Sequence, residues 1–216
     1  MIIVVGGIKG GSGKTTIATN LTVMRSATHK VLLIDADEQR SASDWADQRE
    51  ALGIKTNWST IQLSGKSIHA QIKRLHPDYD DIIIDVGGRD TTSQRAALSI
   101  ADIFLIPFKP RSLDVWTIGP VNTMISEIRA VNPNLQCYAV INQADAQGED
   151  NKSSMEVIQE CKDIEMLNSI IGQRKAFCNA ASEGLGISEM KIVDKKAKAE
   201  MDFLYKSLFN LSAKCV

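Results

Sequence analysis

Two lysines and two threonines share one glycine-rich run, Gly7-Ile-Lys9-Gly10-Gly11-Ser12-Gly13-Lys14-Thr15-Thr16. Backbone N–H groups can close on an anion only where no Cβ intervenes, and a helix opening behind such a turn adds its dipole. In a cradle of that kind Lys14 neutralises the β- and γ-phosphates, the Thr15 hydroxyl meets Mg²⁺ and Thr16 reaches the α-phosphate. Carboxylates follow two later apolar runs, at Asp35 and Asp37 and again at Asp85. Phosphoryl transfer needs an in-line water, a metal bridging the β- and γ-oxygens and positive charge on the leaving oxygens. These residue types can supply all three, so the chemistry read from them is that of a nucleoside triphosphate.

Those groups work only if the chain holds them at one edge. The apolar run Ile2–Val5 reads as a buried strand feeding the glycine turn, and a helix from Thr15 to about Ala27 follows it. Further strands are expected at Val31–Ile34, roughly Ser59–Leu63, Ile82–Ile84, Ile103–Ile106, Cys137–Ile141 and Ser169–Ile171. Several are apolar throughout, as strands buried on both faces of a parallel sheet are. Helices are expected between them at Ala42–Leu52, Ser67–Leu75, Thr92–Ile100, Leu113–Val131 and Met155–Cys161, with Pro77 and Pro133 as stops. A last helix covers Asp194–Ser212. This alternation predicts a doubly wound α/β fold, a mostly parallel sheet with helices on both faces, in a single domain over residues 1–216. Ligands of such sheets sit at the C-terminal strand ends, where Asp35, Asp37 and Asp85 fall.

The glycine run departs from the general P-loop, which wants Gly where Ile8 stands. A dinucleotide-binding turn is the alternative, but it places a third glycine where Thr16 stands and gives Lys14-Thr15 no purpose. The spelling Lys9-Gly-Gly-Ser-Gly-Lys14-Thr15 resembles the deviant Walker A box of the ParA/MinD family of ATPases, and most of all the short plasmid-type ParA proteins. Ile-Ile-Ile-Asp85 resembles the Walker B strand, Asp35-Ala-Asp37 the family's switch I, and Val140-Ile-Asn142 the strand end facing the adenine. The resemblance implies ATP and Mg²⁺ as ligands. It places Gly10, Gly11, Ser12, Gly13, Lys14, Thr15 and Thr16 around the phosphates, Asn142 at the base, and Thr15, Asp35 and Asp85 around the metal. Asp37 then polarises the attacking water, and Lys9 reaches the nucleotide of a second protomer.

Two positions depart from the family. Glu38 stands where switch I has proline, which loosens the turn and adds a charge near the γ-phosphate. Arg111 stands where relatives carry a small residue, with an interface or DNA contact and a solvated loop arginine equally open for it. Trp45 is expected as a core anchor, and Arg174 through Glu189 resembles the helix and loop before the last helix.

Composition sets bounds on partners. Hydrophobic residues make up 44% and charged ones 24% of the 216 positions, ordinary for a globular protein, and net charge is −1. DNA binding therefore needs a local patch, and the lysines at 191, 195, 196, 198, 206 and 214 offer a modest one. The four cysteines form no CxxC pair and read as reduced thiols of a cytoplasmic protein; none lies where the nitrogenase iron-protein branch needs its cluster ligands. His29, His69 and His76 have no metal-ligand spacing. The last helix carries an apolar stripe, Ala197, Met201, Leu204, Leu208 and Leu211, that suits a lipid surface or, favoured here, the core. The resemblance implies an ATP-bound homodimer on nucleoid DNA, a slow hydrolysis stimulated by a small centromere-binding ParB-like partner, and DNA segregation as the task. A MinD-like membrane-surface switch and a nucleotide-binding scaffold with little turnover are the alternatives.

Overall fold

Seven parallel strands form one sheet in the order β3-β2-β4-β1-β5-β6-β7. They are β1 (Ile2–Val5), β2 (Val31–Ala36), β3 (Trp58–Gln62), β4 (Asp81–Val86), β5 (Ile103–Phe108), β6 (Gln136–Ala144) and β7 (Glu165–Gly172). The structure is a computed structural model that describes residues 1–110, 117–145 and 149–211. Its helices are α1 (Lys14–Arg25), α2 (Ser41–Ala51), α3 (Ser67–Leu75), α4 (Thr92–Leu98), α5 (Ile118–Arg129), α6 (Glu149–Gln159), α7 (Lys175–Ser182) and α8 (Lys195–Leu211). The doubly wound parallel sheet expected from the sequence is thus the one observed. Arg111, Trp116, Lys214 and Cys215 lie outside the described residues, as does the start of the helix expected from Leu113.

The reason β1, β2, β4 and β5 read as unbroken apolar runs is visible in where alternate side chains go. Ile2, Val4, Leu32, Ile34, Ile82 and Ile84 face α3, α4, α5 and α6, through Ile68, Leu98, Ile125 and Ile158 among others. Their neighbours Ile3, Val5, Val31, Leu33 and Ile83 face α1, α2, α7 and α8. Both faces are covered, so neither register of the strand tolerates a polar residue until the strand end.

The stripe on α8 belongs to the second layer. Ala197, Met201, Leu204 and Leu208 are each at most 1% exposed, which settles those four as core; the side chain of Leu211 lies outside the description. Truncating Leu204 to alanine would cost about 2–5 kcal/mol of stability. Trp45 is the anchor expected: it stacks on Trp58 at 5.7 Å, with the buried Arg49 guanidinium over both rings. Arg49 also donates to both carboxylate oxygens of Glu189, to the Gly184 carbonyl and to the Lys55 carbonyl, which ties α2 to the loop after α7. A buried guanidinium is tolerated only with partners of this number.

Strands β2 and β4 run further than their apolar runs, through Asp35 and Asp85 respectively. The ladder pairs Asp35 with Asp85 directly, so the two carboxylates stand side by side at the end of the sheet.

Candidate functional site

The glycine run lies between the ends of β4 and β5, the two neighbours of β1. Two of its glycines, Gly11 and Gly13, adopt left-handed φ of 74° and 85°, a region that costs other residues a steric penalty. At Gly13 the demand is doubled, because an added Cβ would come within 2.2 Å of the Asn142 amide nitrogen. Helix α1 starts directly behind, with Gly13 as N-cap, no side chain capping it and no acid in its first turn. Its first N–H groups are therefore left to an anion.

A cleft of about 660 Å³ opens there, of the size that holds a small ligand. It is lined by loop and α1 residues (Gly10, Gly11, Gly13, Lys14, Thr15, Thr16), by Ala36 through Gln39 with Ser41, by Gly87 through Arg89 with Thr91 and Ser93, and by Gln143. Ser12, within the loop, is buried. Lys14 is buried, and its ammonium donates to the Lys9 carbonyl at 3.0 Å. Burial pulls its pKa below the usual lysine range, with Asp85 and Asp37 drawing it back up. Lys9 is half-buried and lies outside the lining of this cleft.

The three carboxylates are held in three ways. Asp85 is fully buried; its Oδ2 accepts from the Thr15 hydroxyl at 2.6 Å, while its Oδ1 has no hydrogen-bond partner. Burial pushes its pKa up to about 7, opposed by the Thr15 hydroxyl. A buried carboxylate oxygen without a donor, beside a hydroxyl, is a donor set that suits a hard divalent cation such as Mg²⁺. Asp35, also buried, accepts from the Ser43 amide (2.8 Å) and the Asp37 amide (3.1 Å), one on each oxygen. Its carboxylate therefore organises the turn from Asp37 to α2, and Asp85 is the one that keeps an open oxygen. Asp37 is half-buried and lines the cleft opposite Gly87, where an added Cβ would come within 3.1 Å of its Oδ1. Glu38 is exposed on the same wall.

Asn142, expected to face a base, is buried and hydrogen-bonded to the glycine loop. Its amide donates to the Ser12 carbonyl at 2.7 Å and packs against Gly13; the neighbouring Gln143 lines the cleft and donates to the Gly11 carbonyl at 3.0 Å. Sequence reading missed Gln143, Arg89, Thr91 and Ser93. Arg89 carried a usable signal, a cation directly after Gly87-Gly88; the others had none. Gly88 meshes with the loop itself, since an added Cβ would come within 2.5 Å of the Gly10 nitrogen.

The family described as the CobQ/CobB/MinD/ParA nucleotide binding domain matches residues 3–187. A relative named Maintenance of carboxysome distribution protein A, from Gloeobacter kilaueensis, is 31% identical over 199 residues, 90% of this chain and 87% of that one. The structure of a Cyanothece McdA variant in complex with ATP superposes with a TM-score of 0.77 at 19% identity, covering 97% of this chain and 96% of the other. A plasmid partition protein from Borrelia burgdorferi gives 0.71 at 20% identity, with 97% of each chain covered. At these identities the two structures establish a shared fold.

Proposed function

The chain belongs to the CobQ/CobB/MinD/ParA family of nucleotide-binding domains, and from that premise we propose that it is a ParA-like ATPase, switched by ATP between monomer and dimer, that positions a cargo along DNA. The observation that carries the reading is one cleft lined by the glycine loop and Asp37, whose wall residue Thr15 donates its hydroxyl to the buried Asp85 directly behind it. ATP is the substrate proposed, as in the Cyanothece complex. Gly10 to Gly13 and the start of α1 hold its phosphates, and Lys14 leaves the Lys9 carbonyl to reach them. Thr15 and Asp85 would hold Mg²⁺, with Asp35 fixing the neighbouring turn. Bound there, Mg²⁺ would neutralise charge on the β- and γ-oxygens. Asp37 orients the attacking water and takes its proton. Lys9, outside its own protomer's cleft lining, acts on the partner's nucleotide.

DNA is the proposed track. Lys175, Lys191, Lys195, Lys196 and Lys206 are exposed on and around α7 and α8, while Lys198 is paired with Asp202. Dimerisation doubles this patch, and binding of that kind weakens steeply with salt. A lipid surface fits less well, because the α8 stripe that would enter it is core. The task proposed is segregation of DNA, that of a plasmid, in the cytoplasm and on the nucleoid, with a small ParB-like partner stimulating slow hydrolysis. A second reading, distribution of a carboxysome-like cargo, is favoured by the relative named for carboxysome distribution.

Lys9→Ala tests the switch. Sedimentation should show ATP still bound to monomers but the ATP-dependent dimer lost, and with it salt-sensitive DNA retention. A persisting dimer would sink the proposed role of Lys9. Reconstitution with a centromere-binding protein, set against a carboxysome-type adaptor, separates the two cargoes by which one accelerates phosphate release.

A further inference from the structure

A phosphate-binding loop gives its N–H groups to the ligand, which leaves the carbonyls of the same peptides to find other donors. In this loop three such carbonyls are matched by side chains: Lys9 by Lys14, Gly11 by Gln143 and Ser12 by Asn142. The last two donors are consecutive residues at the end of β6. Consecutive side chains on a regular strand point to opposite faces, so a regular end would send one amide to the loop and the other away. Here the chain breaks the rule. Gln143 takes a left-handed φ of 57°, one of only two non-glycine residues to do so among the described residues, and the β6–β7 pairing slips in register between Asn142 and Ala144. Glutamine has no intrinsic liking for that conformation, and strain of this kind persists where the surroundings require it. The glycine at 13 completes the fit, because only a residue without Cβ lets the Asn142 amide come so close.

We propose that Asn142 and Gln143 are positioning residues, a two-amide clamp that presets the glycine-rich loop to receive a polyphosphate whatever base it carries. The proposal rests on the nucleoside-triphosphate reading of the cleft. It replaces the base contact expected of Asn142 with a contact to the loop, and it gives the strain at Gln143 a purpose. An unclamped loop would have to be ordered by the ligand, so affinity falls for every ligand that uses the loop.

The test compares ATP with inorganic tripolyphosphate, which has no base, on the full chain. Wild type should bind both, and if it binds neither, the nucleotide reading fails before the clamp is reached and the clamp falls with it. In Gln143→Gly the amide is lost while the left-handed backbone becomes unstrained. Its thermal midpoint should hold or rise, while both ligands weaken about tenfold, the scale of one net hydrogen bond. KM for ATP should rise more than kcat falls. Asn142→Ala should weaken both ligands by a similar factor; should it fail to fold, Gln143→Gly still decides the matter. Loss confined to ATP, with tripolyphosphate unaffected, would overturn the clamp in favour of a base contact. Unchanged affinity for both ligands would overturn it outright.

Discussion

Asp35 and Asp85 are the same residue type, at paired positions on neighbouring strands, and both are buried, yet they do different things. Around Asp35 the chain turns back at once, and the amides of Asp37 and Ser43 close on its two oxygens. Around Asp85 it runs on through Val86 into Gly87-Gly88, and one hydroxyl, from Thr15 on a different element, is the donor supplied. The first carboxylate is satisfied by the fold. The second is held half-satisfied, with an oxygen open and its pKa raised to about 7 by burial. The position in the sheet is shared; the local path of the backbone decides which carboxylate has a donor on each oxygen and which keeps one oxygen without a donor.

The largest effect should come from Asp85→Asn. Replacing the open carboxylate with an amide should lower Mg²⁺-dependent hydrolysis at least ~1,000-fold, the scale of several kcal/mol of transition-state stabilisation, and leave the ligand-free fold intact. Phosphate release and a melting curve on one preparation check both halves; a variant that unfolds would make Asp85 the structural carboxylate and dissolve the contrast.

Next in size is a pH effect on the ligand-free protein. The folded chain holds a proton on Asp85 up to about pH 7, where an unfolded one would lose it near its ordinary 3.8. The native state thus binds more protons between those values, and stability falls as pH rises. Chemical denaturation should show a loss of roughly 2–3 kcal/mol from about pH 5 to about pH 8 that Asp85→Asn removes. An equal slope in both proteins would mean that Asp85 is better solvated than its burial indicates.

The smallest effect belongs to Asp35→Ala, which strands two backbone N–H groups and should cost about 2 kcal/mol of stability. Urea melts read that cost directly. If stability were unchanged while Mg²⁺ dependence shifted as in Asp85→Asn, the roles assigned to the two carboxylates would have to be merged.

Most of the layout was legible before the structure because it depends on side-chain pattern. Unbroken Ile/Val runs mark doubly buried strands, and α3 (Ser67–Leu75) falls on its expected bounds. The misses have a common cause. Strands β2 and β4 were expected to stop short of their aspartates, but ladder hydrogen bonds come from the backbone and continue past a polar side chain. Helix α6 begins at Glu149, ahead of the Met155 expected, since its first turns are polar and carry no apolar period. The left-handed Gln143 at the end of β6 left no trace in the sequence, because periodicity does not report a backbone conformation. Arg49 drew no notice because two of its partners, Gly184 and Glu189, lie more than a hundred residues downstream.

Gly88 rests against the peptide of Gly10 with no room for a single carbon between them. The two loops therefore behave as meshed teeth, and neither can be redesigned alone: a library randomised at position 88 should return little except glycine. At Gly10 itself an added Cβ would meet nothing within 4 Å, so substitutions there should survive in far greater variety. Mutational tolerance in this protein should thus change sharply across one contact, with the permissive residue and the forbidding one touching each other.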